Sequence, residues 1–313
     1  MIFRFLIGGI NNKMRILVIG GNGFIGRHVI KHALKLKWDV TNLNLSSNLA
    51  EKSSGLKDVT ADITNFIALK KALGVAEFEY VVNCGGYVDH TLFSNGGRSI
   101  LNMHFIGVIN LVELLNRNVL KCFINIGSSD EYGNVVAPQT EMQREEPISP
   151  YSLGKLASTH FLQMLHRTEN YPVTILRLFL TYGPGQGGNR FIPKIISGCL
   201  KGGTFPVSKG DQLRDFCFID DVINAIFLAL NSSKSFGEVI NIASGNPVTI
   251  KSVVENIQNI IRSGSPEFGG ILYRPGENMR LYADIIKADN ILNWEPKVTL
   301  NDGLLRTIQW SKK

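Results

Sequence analysis

The chain has 313 residues, 44% hydrophobic and 19% charged, which suits one large or two moderate globular domains with a substantial core and excludes a disordered protein. Its net charge of +7 comes from scattered lysines and arginines rather than blocks, so nucleic acid is not indicated and an anionic small-molecule partner is the simpler account. Cys84, Cys122, Cys199 and Cys217 lie far apart without metal-ligand spacing; they read as reduced, mostly buried thiols of a cytoplasmic protein, with no metal expected.

The first residues, Met1 to Ile7, resemble the start of a targeting segment, but the apolar stretch is short and no small-residue cleavage site follows. Residues 1–13 therefore read as an extension, with Met14 as an alternative start. No apolar run is long enough to span a bilayer, so no membrane partner is expected.

Arg15-Ile16-Leu17-Val18-Ile19 is an apolar strand, followed at once by Gly20-Gly21-Asn22-Gly23-Phe24-Ile25-Gly26 and a helical pattern to residue 36. Glycines at Gly20, Gly23 and Gly26 suit a dinucleotide pyrophosphate: the first for a tight turn, the second for close approach, the third for packing of helix on strand. The helix opening at Phe24 and Ile25 offers free N–H groups and a positive dipole end to the anion. Further strands are expected at 39–43, 57–60, 79–83, 121–126 and 173–178, and helices at 65–73, 98–116 and 151–168. This alternation predicts an α/β, Rossmann-type, doubly wound parallel sheet. After residue 180 the texture changes to loops, short strands and helices at 190–201, 220–230 and 250–262. The expected organisation is a dinucleotide-binding domain over 14–180, with later segments returning to it, and a smaller C-terminal substrate-binding lobe over 181–313. Ligands in such sheets lie at the carboxyl ends of the strands.

Tyr151 and Lys155 are four residues apart at the start of a helix and share one face. A phenol titrates near pH ~10 and needs help to act as a base at neutral pH. A nearby ammonium and an oxidised nicotinamide both favour the phenolate. The fifth strand runs into Gly127-Ser128-Ser129-Asp130-Glu131-Tyr132-Gly133, which puts a hydroxyl at its carboxyl end beside the tyrosine.

From Met14 onward the chain resembles the extended branch of the short-chain dehydrogenase/reductase superfamily, and more narrowly its nucleotide-sugar epimerase/dehydratase group. The resemblance rests on the glycine turn, Ser-Ser-x-x-Tyr-Gly, Tyr151-x-x-x-Lys155, Tyr182-Gly183-Pro184, Arg214-Asp215-Phe216, the run from Asn241 to Ile250, and Arg274-Pro-Gly-Glu277. It implies that Tyr151 is the acid/base on the sugar C4 oxygen. Lys155 would hold the nicotinamide ribose and lower the tyrosine pKa. Ser129 is the best match to the family hydroxyl, with Ser128 second. Asp62 and Ile63 would touch adenine, and Asn83, Gly85 and Gly86 would border the cofactor. Arg214 matches the arginine at the sugar-nucleotide pyrophosphate. Arg190 and Arg274 are further candidates, each equally a surface ion-pair partner, and Glu277 is either a base or ribose acceptor or a solvated loop carboxylate.

Ser129-Asp130-Glu131 is similar to the Thr-Asp-Glu run of 4,6-dehydratases, but Tyr132 follows without the usual spacer, which looks more like reductases of nucleotide-linked 4-keto-6-deoxyhexoses. Asn44 stands where NAD-preferring members place an acidic residue, so NADP or NAD is accommodated, with a slight lean to NADP. Leu180 and His104 stand where relatives often carry asparagine, which implies an altered sugar pocket. Helices 98–116 and 151–168, with Leu111, Leu115, Phe161 and Leu165, match those that commonly pair in homodimers. The expected function is reduction of an NDP-4-keto-6-deoxyhexose; the alternatives are a 4-epimerase with retained NAD, then a 4,6-dehydratase. A non-catalytic dinucleotide sensor is the reading from another class.

Overall fold

The computed structural model describes residues 13–46, 54–273 and 276–312. In chain order the first half runs β1 (Arg15–Ile19), α1 (Phe24–Lys35), β2 (Asp39–Asn44), β3 (Leu56–Thr60), α2 (Phe66–Leu73), β4 (Tyr80–Asn83), α3 (Gly97–Leu101), α4 (Gly107–Leu114), β5 (Cys122–Ser128), α5 (Pro150–Glu169) and β6 (Val173–Leu178). The second half runs β7 (Leu180–Tyr182), α6 (Phe191–Lys201), β8 (Thr204–Val207), β9 (Leu213–Arg214), β10 (Phe216–Phe218), α7 (Ile219–Leu230), β11 (Val239–Ile242), β12 (Val248–Thr249), α8 (Ile250–Ile261), β13 (Ser265–Phe268), β14 (Arg280–Leu281), α9 (Ile286–Leu292) and α10 (Leu300–Ser311).

Seven strands form one parallel sheet in the order β11-β6-β5-β4-β1-β2-β3. Both faces are covered, which is why its central strands are apolar throughout. Ile16, Val18, Val82 and Ile124 pack on one side with α1, α6 and α7, and Leu17, Val81, Phe123 and Ile175 on the other with α4 and α5. The strand order reverses between β1 and β4, and the crevice at their carboxyl ends is the expected ligand position. The seventh strand, β11, lies inside the Asn241 motif and was not among the expected strands. Three small sheets, pairing β7 with β10, β8 with β13, and β9 with β12 and β14, build the region beyond the crevice.

Two expectations about helices change. The single helix expected at 98–116 is α3, a wider π turn over Asn102–Ile106, and α4. Leu111, Leu115 and Leu165 are not available for pairing with a second chain, because they are buried against the parent sheet, with Phe161 packed at the edge of that cluster. The apolar side chains these helices expose are Ile106, Leu153 and Met164. Among the described residues no helix is long and apolar enough to cross a membrane.

Candidate active site

The crevice is built by backbone. Gly20 has φ of +72° and leaves no room for a side chain: a Cβ there would sit 2.9 Å from the Cys84 carbonyl oxygen. A Cβ on Gly26 would collide with the Gly20 oxygen, so turn and helix close on each other. Gly23 caps α1 with no side-chain hydrogen bond, leaving the N–H groups of Phe24 and Ile25 to an anionic oxygen. This cradle fits a dinucleotide pyrophosphate.

Its flanks are polar. Asn44 at the end of β2 accepts from the Asn22 N–H (3.0 Å) and donates to Asn42 (2.6 Å), and Asn42 donates to Asn22 and Asp58 (3.1 and 2.8 Å). The Asn44 amide thus ties strand to turn. Asp62 accepts from the Thr64 N–H and hydroxyl at 2.8 Å, and Ile63 is buried with its carbonyl accepting from Asn110. Asn83 accepts from the Gly85 N–H and donates to Asn125, shaping the loop that includes Gly86. Gly86 must lack a side chain, because a Cβ would collide with the His104 ring.

Tyr151 is buried at the first turn of α5, whose start is set by Ser149 as cap and Pro150 at the first position. The hydroxyl close enough to lower the Tyr151 phenol's pKa is that of Ser128, the last residue of β5. This favours the second candidate over Ser129. Residue 129 begins the tight turn Ser129–Tyr132 and is buried. Lys155 lies one turn further along α5, buried, and donates to the Ile126 carbonyl at 2.8 Å. Burial lowers the Lys155 pKa, opposed by the charge of Glu131. Within the chain alone, burial and then the Asp130 charge push the Tyr151 phenol up, against the Ser128 hydrogen bond and Arg190. The expected lowering by Lys155 is not among the main influences on it.

His104 packs edge-on to Tyr151 at 4.9 Å between ring centroids, and its Nε2 bonds the Tyr87 carbonyl at 3.0 Å. Burial, aided by the Lys155 charge, pushes its pKa down to about 3, so it is a neutral wall of the site. The π turn that contains it adds one residue to the helix and aims the ring inward, a local feature that favours functional positions.

Asp130 and Glu131, adjacent in sequence, diverge completely. Glu131 is fully buried and accepts from the Ser128 N–H, the Thr159 hydroxyl and the Arg177 guanidinium at 2.8 to 3.2 Å. Arg177 also bonds Glu145 at 3.0 Å and stacks on Tyr132. Glu131 is therefore a structural anchor, which corrects its assignment as a catalytic carboxylate. The reason is local: Ser128-x-x-Glu131 closes a capping box at the strand end. Asp130 points the other way, toward the fields of His90, Arg214 and Arg190, and burial raises its pKa.

Beyond Asp130 opens a cavity of about 820 Å³ lined by Leu180, Lys194, Gln212, Arg214 and Glu277 among others. Arg214 and Glu277 form an ion pair at 2.5 Å on its wall. Asp215 faces inward and clamps the Ser244-Gly245 turn at 2.6 to 2.9 Å, which holds its neighbour Arg214 outward. Arg190 is exposed at the start of α6, close enough for its charge to act on Asp130 and Tyr151. Arg274 lies outside the described residues. Lys194, Gln212 and His90 were not anticipated; isolated polar residues in loops and on a helix face carry no sequence signal. Among the described residues no cluster of three metal-ligating side chains occurs.

A parallel sheet with this switch-point crevice, and a Ser–Tyr–Lys constellation beside it, defines a nicotinamide-dinucleotide enzyme of the extended short-chain dehydrogenase type. The chain belongs to the NAD dependent epimerase/dehydratase family, whose model matches residues 16–243. It is 27% identical to a dTDP-glucose 4,6-dehydratase of Haemophilus influenzae, over 95% of this chain and 97% of the relative. It is equally 27% identical to a UDP-glucuronate 4-epimerase of Thermodesulfobacterium geofontis, over 95% of this chain and 96% of that one. Among solved structures it is similar to a UDP-glucuronic acid 4-epimerase from Bacillus cereus in complex with UDP-glucuronic acid and NAD, with TM-score 0.84, 28% identity, and 96% and 99% of the two chains covered.

Proposed function

We propose that this enzyme oxidises C4 of a nucleotide-diphosphate sugar with a retained NAD and returns the electrons to the same sugar, as a 4-epimerase does. The observation that carries this reading is buried Tyr151 at the first turn of α5, with Lys155 one turn behind and Ser128 nearby at the carboxyl end of β5. It replaces the reductase reading, because the similar proteins are named as epimerases and dehydratases and the solved 4-epimerase holds NAD rather than NADP. Residues 181–313 are assigned mostly to the sugar-nucleotide lobe, apart from β11 and the helices α6 and α7 that pack on the parallel sheet.

Gly20, Gly23, Gly26 and the N–H groups of Phe24 and Ile25 would hold the pyrophosphate of NAD, Asp62 and Ile63 its adenine, Asn44 the adenosine ribose edge, and Lys155 the nicotinamide ribose. Bound NAD supplies the two-electron acceptor. Tyr151 takes the proton from the C4 hydroxyl and Ser128 hydrogen-bonds the resulting carbonyl. Arg214, Arg190 and Arg274 neutralise the sugar-nucleotide phosphates, and arginine's planar fork suits them. Glu277 sets the angle of Arg214. Dehydration ranks second: it calls for an acid and a base across C5 and C6, and of the two adjacent carboxylates only Asp130 faces the cleft. The exposed strip of Ile106, Leu153 and Met164 is where a second copy would pair.

The test is to denature freshly purified protein, identify the released dinucleotide by mass spectrometry, and incubate native protein with UDP-glucose, UDP-glucuronate and dTDP-glucose without additive. Stoichiometric NAD and conversion of one of these supports the reading, with Tyr151→Phe inactive. Turnover that requires added NAD(P)H and a 4-keto sugar restores the reductase.

A further inference from the structure

Tyr151 is flanked by two imidazoles of different character. His104 is locked and neutral on one side. On the other, His90 presents its ring edge-on to Tyr151 at 5.8 Å between centroids, and its Nε2 stands 3.6 Å from the Asp130 carboxylate. The loop carrying it is pinned by Asp89, which accepts from the Thr91 N–H and hydroxyl at 2.8 and 2.6 Å. The Asp130 backbone is pinned in turn by donation to the Ser128 hydroxyl at 3.2 Å. Both side chains reach open space, His90 at 44% and Asp130 at 30% exposure. Oxidation and reduction at C4 need neither of them.

We propose that His90 and Asp130 are a second proton-transfer pair, acting on a carbon beside the C4 ketone. This rests on the C4 reading above. Once C4 is a ketone, a hydrogen on C3 or C5 becomes acidic. His90, with Nε2 toward Asp130, has Nδ1 free to take that proton. The C–H electron pair becomes the carbon–carbon double bond of an enolate, and the former carbonyl electrons settle on O4, where Tyr151 and Ser128 stabilise them. Asp130 balances the imidazolium. Return of a proton restores the ketone with solvent hydrogen at that carbon, and no further oxidant or reductant is needed. The pair supplies the carbon acid chemistry that buried Glu131 cannot reach.

The experiment incubates the NAD-containing protein with UDP-glucose, UDP-glucuronate or dTDP-glucose in D₂O. It reads reduced-nicotinamide absorbance and, by NMR and mass spectrometry, the configuration at C4 and deuterium at C3 and C5 of the recovered sugar. Wild type is expected to place deuterium at one of these carbons. His90→Asn lowers deuterium incorporated per C4 turnover by about 100-fold, within the range for loss of an acid/base group. Asp130→Asn does the same, and thermal unfolding confirms that both variants are folded. C4 turnover, seen as NADH or as a change at C4, without deuterium in the wild type, or an unchanged ratio in His90→Asn, overturns the proposal and leaves the C4 reading standing. The absence of both NADH and a change at C4 with all three sugars refutes the C4 reading itself, and the proposal with it.

Discussion

Replacing Glu131 by Gln separates a structural carboxylate from a chemical one. The side chain is fully buried and accepts from Ser128, Thr159 and two nitrogens of Arg177, itself fully buried. Breaking one partner of a buried ion pair costs about 3–5 kcal/mol. Glu145 remains 3.0 Å from Arg177, so the lower end applies. A loss of about 3 kcal/mol at roughly 2 °C per kcal/mol for a chain of this size lowers Tm by about 6 °C. The reacting atoms are untouched, so kcat should stay within about tenfold of wild type. Differential scanning calorimetry and steady-state turnover on the same preparation measure both. Unchanged Tm with kcat reduced by more than about 100-fold would refute the reasoning and return Glu131 to the chemistry.

Ser128→Ala should lower kcat by about 10²–10³, as for loss of a donor at a developing oxyanion, while Ser129→Ala stays within about threefold; parallel assays of the two variants decide which hydroxyl acts. Arg214→Ala should raise KM for the sugar nucleotide far more than it changes kcat, and Arg214→Lys should recover only part of the loss because an ammonium lacks the planar fork; initial-rate kinetics separate the two constants. His104 protonates near 6.5 when unfolded but only near about 3 in the fold. Between these values the unfolded chain binds the extra proton, so stability falls as pH falls, by up to ~1.4 kcal/mol per pH unit. Urea unfolding across that window should show a shallower acid slope for His104→Asn than for wild type.

The sheet was legible because parallel strands buried on both faces read as unbroken apolar runs, and β1, β4 and β5 are such runs. Strand β11 was hidden because polar Asn241 interrupts the apolar run of Val239–Ile242. Tyr151 and Lys155 were legible because helical spacing alone puts them on one face. Ser128 was ranked second because the direction of a side chain at a strand end depends on which residue is last, and a shift of one turns it away. The capping-box spacing of Ser128 and Glu131 was an available signal that Glu131 turns back on the chain. His90 had none: its place beside Asp130 comes from two loops after neighbouring strands, and no local pattern encodes that meeting.

The π turn at Asn102–Ile106 gives the helix one residue more than regular winding requires. Deleting a single residue there would close the wide turn into an ordinary helix, leaving the segments on either side in register while the side chains of the turn itself change direction. The reading frame of the helix is thus a dial on the active site. A one-codon loss would swing His104 off Tyr151 without touching the sheet, the cofactor turn or the arginines. Pocket shape in this scaffold can be remodelled by changing length in one helix as well as by exchanging side chains.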